Sequence, residues 1–180
     1  GTGVIGAGWI IRMLAHNKKV MAFDLNIKQK SILIKEVKRS LPFVKKLFKK
    51  KNINLKNLSF KTSLIETLKD ADFIQECATE NYKLKTKLIS DIGKYSKSNS
   101  IISSSSSGLL PSIIFSKCKN PSRGIIGHPF NPVYMLPAVE IVPGKKTSKS
   151  ILKKANNFYR SISMNTIIVK KELPGYLSDR

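Results

Sequence analysis

The spacing Gly1-x-Gly3-x-x-Gly6 constrains this chain more than any other feature. Glycines so spaced fit a strand-to-helix turn. The first permits the tight turn, the second lets backbone approach a pyrophosphate, and the third lets the helix pack close to a sheet. Ala7 to His16 then reads as an apolar helix whose N-terminus faces an anion. Val20-Met21-Ala22-Phe23 reads as a short buried strand that ends at Asp24. An acid about twenty residues past the glycines, at the end of the second strand, is where adenosine ribose hydroxyls are held. No arginine follows Asp24 directly, which favours NAD over NADP. The expected cofactor contacts are Gly1, Gly3, Val4, Ile5, Gly6 and Asp24. The alternative is a glycine-rich turn beside a surface aspartate.

The alternation of helix and strand continues beyond Asp24. Lys28 to Lys51 carries apolar residues at Ile32, Leu33, Val37, Leu41, Val44, Leu47 and Phe48, which suits one helix or two broken near Pro42. Leu58–Phe60 reads as a strand, and Ser63 with Glu66 as a capping box opening a short helix. Asp72–Glu76 is the next strand, and Glu76 at its end is expected to touch cofactor or substrate, because strand C-termini line the crevice of a doubly wound sheet. Tyr82 to Lys97 is expected to be helical, with Leu84, Leu88, Ile89 and Ile92 on its buried face. Ile101-Ile102 reads as a two-residue strand before five serines, whose hydroxyls can donate to a substrate oxygen or a nicotinamide amide. Leu109–Ile114 enters a helix with proline near its start. Gly124–Gly127 and Ala138–Val142 read as strands, Thr147 as the cap of a helix over Lys149–Ser161, and Asn165–Val169 as a last strand. The fold class is α/β: a Rossmann-type doubly wound, mostly parallel sheet with flanking helices. The strand that should precede Gly1 is missing, so the chain reads as an internal piece of a longer protein.

One segment stands apart. Gly127-His128-Pro129-Phe130-Asn131-Pro132-Val133-Tyr134 holds one of two histidines and is too broken by Pro129, Pro132 and Pro137 to be a helix. Glu140 comes twelve residues after His128, inside an apolar run. A carboxylate there is costly to bury without a partner, and a histidine alongside would be that partner. Glu140 would fix one imidazole tautomer and stabilise its protonated form. The alternative is a core histidine satisfied by backbone, with Glu140 facing water.

The formal charge of +22 raises a rival reading, a basic polyanion-binding module. The excess is nearly all lysine; the arginines are Arg12, Arg39, Arg123, Arg160 and Arg180. Nucleic-acid readers lean on arginine and interleaved aromatics, so a solvated lysine surface is favoured, with no specific nucleic acid or membrane partner. Two cysteines, Cys77 and Cys118, make neither a disulfide framework nor a metal site and fit a reducing cytoplasm. No apolar run approaches membrane-spanning length.

Taken together, these residues resemble the 3-hydroxyacyl-CoA dehydrogenase superfamily. Gly1-x-Gly3-x-x-Gly6 is similar to its NAD fingerprint, and Glu76-Cys77-Ala78-Thr79-Glu80-Asn81 to its segment after the fourth strand. Ser107 lies twenty-one residues before His128, as that family's active-site serine does, and His128-Pro129-Phe130-Asn131-Pro132 with Glu140 resembles its catalytic motif. The resemblance implies an NAD-dependent oxidoreductase acting on a 3-hydroxyl. His128, Glu140, Ser107 and Asn131 would be catalytic, Ser107 and Asn131 would also touch the cofactor, and no metal would be used. It implies residues 1–171 as the cofactor domain and 172–180 as the start of a helical domain that usually supplies a homodimer contact. Within the superfamily, Gly108, Pro129 and the short stretch after Asp24 resemble the carnitine-oxidising branch, hence a small hydroxy acid substrate. Acyl-CoA and gulonate-type branches are the alternatives. For a trimethylammonium group, Phe130, Tyr134 and Asp179 are the candidate surround, the alternative for either aromatic being a place in the core.

Overall fold

The computed structural model describes residues 1–178. Its elements run α1 (Val4–Ala15), β1 (Val20–Phe23), α2 (Gln29–Leu47), β2 (Leu58–Lys61), α3 (Leu64–Leu68), β3 (Phe73–Glu76), α4 (Tyr82–Tyr95), β4 (Ile101–Ser104), α5 (Pro111–Ile114), β5 (Gly124–Pro129), β6 (Ala138–Pro143), α6 (Lys149–Ser161) and β7 (Asn165–Ile168). The expected α/β architecture is present. β1 and β2 form a parallel pair; the other strands form a sheet in the order β3-β4-β5-β6-β7, parallel except between β5 and β6.

The central strands alternate between two cores, as a period of two requires when both faces are covered. Ile101, Ile125 and Ile141 pack with Trp9, Ala155 and Tyr159, on the side of α1 and α6. Ile102, Ile126 and Val142 pack with Ile89, Ile92 and Ile114, on the side of α4 and α5. A third cluster joins α1, α2, β1 and β2 through Ala7, Ile11, Leu14, Leu33, Val37 and Val44.

The strands fall in two sheets. Between β1 and β3 lies a cavity of about 830 Å³, lined in part by Val20–Phe23, Phe73–Cys77, Trp9, Ile10 and Met13. The glycine turn straddles its rim. Thr2 bonds to Asp24 just past β1, and a Cβ on Gly1 would stand 2.6 Å from the carbonyl of Cys77 just past β3.

Of the two arrangements expected over Lys28 to Lys51 the single helix is present, and α2 runs through Pro42. Pro42 is exposed, so the carbonyl it leaves unpaired is free to meet water. Ile32 and Leu47 face out rather than in. Ser103 and Ser104 belong to β4 instead of the serine loop, and both are buried. The N-cap of α6 is Ser148, whose hydroxyl accepts the Ile151 N–H; Thr147 instead accepts the Gly144 N–H and donates to the Gly124 carbonyl. On α4, Lys85 is buried with Ile89 and Ile92, while Leu84 is exposed. Among the described residues no helix is long and apolar enough to cross a membrane.

Candidate active site and dinucleotide cradle

Pairing of β5 with β6 puts His128 directly opposite Glu140, and directly opposed side chains on one sheet face are close enough to bond. Nδ1 of His128 lies 2.9 Å from Oε2 of Glu140. The Glu140 side chain is 1% exposed and that of His128 13%. In the neutral imidazole whose Nδ1–H donates to the carboxylate, Nε2 carries the lone pair, and Nε2 has no protein partner among the described residues. Burial alone would raise the Glu140 carboxyl. Bonds from His128, Ser178 and the Leu177 N–H, with the charge of His128, outweigh it and hold the carboxyl below its ordinary value.

The segment after His128 is held from outside the sheet. A Cβ on Gly8 would meet Val133 at 2.9 Å, so α1 lies directly against this segment. The buried Arg12 guanidinium donates to the carbonyls of Val133, Ile162 and Ser163, and burial pushes it down to about 10. The Asn131–Pro132 peptide is cis. Phe130 stays beside the imidazole, with ring centroids 6.0 Å apart. Tyr134 does not: it packs edge-on against Phe43 of α2, in the third core cluster. Asp179 lies outside the described residues.

Ser107 and Asn131 are both exposed, and neither side chain has a hydrogen-bonding partner among the described residues. The Ser107 and Gly108 N–H groups donate to Glu80 Oε1, at 3.1 and 3.3 Å, and Ser106 Oγ donates to the same oxygen. Glu80 thus shapes the serine loop, a role that sequence reasoning missed.

Glu76 has a different place from the one expected. Its carboxylate is 1% exposed and is spent on Lys85 Nζ, at 2.9 and 3.0 Å, on the Ser104 hydroxyl and on the Ala78 N–H. A paired buried carboxylate costs far less than an open one. The signal for this pair is a lysine in the apolar stripe of α4, four residues before Ile89 and seven before Ile92. Lys85 is the only buried lysine among the described residues.

The glycine turn fits a dinucleotide. A Cβ on Gly6 would meet the Gly1 carbonyl at 2.1 Å, whereas one on Gly3 would meet nothing within 4 Å. The outer glycines are therefore demanded by packing, and the middle one leaves open space. α1 begins after Gly3 with no side-chain cap and no acid in its first turn, so the N–H groups of Val4, Ile5 and Gly6 suit an anion. Asp24 is half-buried beyond β1. It accepts the Thr2 N–H and hydroxyl on Oδ2 and the Asn26 N–H on Oδ1. Burial alone would raise this carboxyl, yet those bonds hold it below its ordinary value, ionised to receive hydroxyl donors. The nearby Cys77 thiol is pushed up to about 11, chiefly by burial.

Residues 1–173 match the family model described as 3-hydroxyacyl-CoA dehydrogenase, NAD binding domain. The L-carnitine dehydrogenase of Staphylococcus epidermidis is 42% identical over 180 residues, which are all of this chain and 56% of that protein. The L-carnitine dehydrogenase of Oceanobacillus iheyensis is 41% identical over the same 180 residues, 59% of its length. The chain therefore spans a little over half the length of these relatives. Among solved structures, (S)-3-hydroxybutyryl-CoA dehydrogenase from Ralstonia eutropha superposes with a TM-score of 0.92 at 27% identity, over 99% of this chain and 64% of that one.

Proposed function

The chain belongs to the 3-hydroxyacyl-CoA dehydrogenase family, and on that premise we propose that the whole protein oxidises the 3-hydroxyl of L-carnitine. Its cofactor is NAD, in keeping with the family's NAD-binding domain over residues 1–173. The observation that carries the chemistry is the 2.9 Å bond between His128 and Glu140, with Nε2 left free. The substrate reading leans on the two L-carnitine dehydrogenases that are 42% and 41% identical along the whole chain.

His128 Nε2 takes the proton of the substrate hydroxyl as the carbon beneath it gives up hydride. Glu140 holds the ring in the tautomer that can accept and steadies the imidazolium that forms. NAD, when bound, supplies the hydride acceptor. Val4, Ile5 and Gly6 would hold its pyrophosphate, and Asp24 would hold its adenosine ribose. Ser107 and Asn131, both without protein partners among the described residues, orient the substrate oxygen and the nicotinamide amide. Phe130, partly exposed beside His128, offers a ring face to a trimethylammonium group. Residues 1–171 form the cofactor unit in this reading, and 172–180 begin the next.

His128→Ala in the intact protein should lower kcat by about 10²–10⁴-fold while leaving NAD affinity in place. Steady-state kinetics with a separate NAD titration test this. Loss of NAD binding with unchanged turnover would remove His128 from the role of base.

A further inference from the structure

The segment beyond β7 folds back onto the catalytic pair. Leu173–Tyr176 makes a turn closed by the Tyr176 N–H to the Leu173 carbonyl at 3.2 Å, with Gly175 at φ 70° and Tyr176 at φ 50°. Tyr176 is buried, its ring centroid 5.7 Å from that of His128, and its hydroxyl donates to the Leu109 carbonyl of the serine loop at 2.8 Å. The next two residues close on Glu140. The Leu177 N–H donates to Oε1 at 3.0 Å, and the Ser178 hydroxyl donates to Oε2 at 2.7 Å. Oε2 is the oxygen that also receives His128 Nδ1–H, and Ser178 Oγ lies 3.5 Å from that nitrogen.

We propose that Ser178 is a positioning residue that sets the basicity of His128 by sharing the Glu140 oxygen on which the imidazole depends. The inference rests on the reading of His128 as the base. Its physical content is competition. A carboxylate oxygen that already accepts a 2.7 Å hydroxyl bond has less charge to offer an imidazolium. Ser178 thereby makes His128 easier to deprotonate than Glu140 alone would, and keeps the base free at lower pH. Other titratable groups are few here. Among the described residues, Tyr176 packs on the imidazole, and Glu80 and Tyr82 act on Tyr176 through their charge. None of them bonds to Oε2.

The test is the pH profile of kcat/KM in the full-length protein, with L-carnitine and NAD. In Ser178→Ala the acid limb should move up by roughly 0.3–0.7 pH units, which is about a two- to five-fold lower rate at a fixed pH on that limb. The alkaline plateau and the KM for NAD should stay within about twofold. Ser178→Thr, which keeps the hydroxyl, should restore the limb. A merely structural role would lower the plateau at every pH and leave the limb where it was; that result, or an unmoved limb with an unchanged plateau, overturns the proposal. Ser178→Cys gives a second reading, because its weaker donor should move the limb the same way. His128→Gln separates the premise from the inference. If His128→Gln abolishes the limb while Ser178→Ala leaves it in place, only the role of Ser178 fails. If the limb survives in His128→Gln, the reading of His128 as base fails, and this proposal with it.

Discussion

Replacing Lys85 by methionine removes three donated bonds at once: two to Glu76, at 2.9 and 3.0 Å, and one to the Ala78 carbonyl at 2.9 Å. Both side chains of the pair are 1% exposed, so water cannot replace the lost ammonium. Glu76 keeps only the Ser104 hydroxyl and the Ala78 N–H. Stranding a buried charge in this way costs about 3–5 kcal/mol. At roughly 2–4 °C per kcal/mol for a domain of this size, the melting temperature should fall by roughly 6–20 °C. Thermal unfolding of wild type, Lys85→Met and the double variant Glu76→Gln/Lys85→Met measures it. The double variant should recover most of the loss, because the neutral amide no longer needs a counter-charge: its oxygen can accept the Ala78 N–H and its NH2 can donate to the Ser104 oxygen. If the double variant melts as low as Lys85→Met, the loss was one of packing, and the electrostatic reasoning is refuted. Position adds a functional consequence: Ala78 adjoins Cys77, whose carbonyl packs against Gly1. Lys85→Met should therefore also raise the KM for NAD.

The glycine turn gives a paired prediction. Gly3→Ala meets open space, so it should cost about 1 kcal/mol or less of stability yet weaken NAD by about tenfold or more, because its methyl stands where the pyrophosphate approaches. Gly6→Ala drives a methyl against the Gly1 carbonyl and should lose about 1–3 kcal/mol of stability as well; calorimetric NAD titration and thermal melts on both variants check this. The acid response of Glu140 gives another. Its folded carboxyl lies below the ordinary value of 4.5, so its contribution to stability is present above that value and is lost as pH falls through the folded one. The difference in melting temperature between wild type and Glu140→Gln should thus hold above 4.5 and shrink as pH is lowered below it through the folded value; a difference that grows there would reverse the sign.

The glycine spacing, Asp24 and the facing of His128 and Glu140 are legible in the sequence because each depends on local chain geometry. Strands have a period of two, so once β5 and β6 pair, the two residues need only the right register, and twelve residues with three prolines leave room for the return. The features that escape a sequence reading depend on partners far along the chain. Lys85 breaks the pattern of an apolar helix face because its partner, Glu76, lies nine positions earlier on another element. Ser103 and Ser104 look like linker, yet Ser103 meets the Tyr159 hydroxyl at 2.7 Å, and Ser104 meets Glu76. Composition alone cannot distinguish a solvated hydroxyl from one satisfied inside a sheet. Ser178 is separated from Glu140 by 38 positions, and no periodicity or spacing rule links the two. Tyr134 lies elsewhere than its position in the sequence suggests, because an aromatic near the catalytic motif is equally able to pack backwards, as it does onto Phe43.

NADH formation by the full-length protein at alkaline pH tests the central claim most directly. L-carnitine, 3-hydroxybutyryl-CoA and L-gulonate are supplied side by side, for wild type and His128→Ala. Wild type should turn over L-carnitine, and His128→Ala should show a deep loss. NADH from the CoA ester or the sugar acid alone would keep the chemistry and move the substrate. A folded protein that binds NAD yet forms no NADH from any of the three would contradict the assignment of His128 and Glu140 as a dehydrogenase pair.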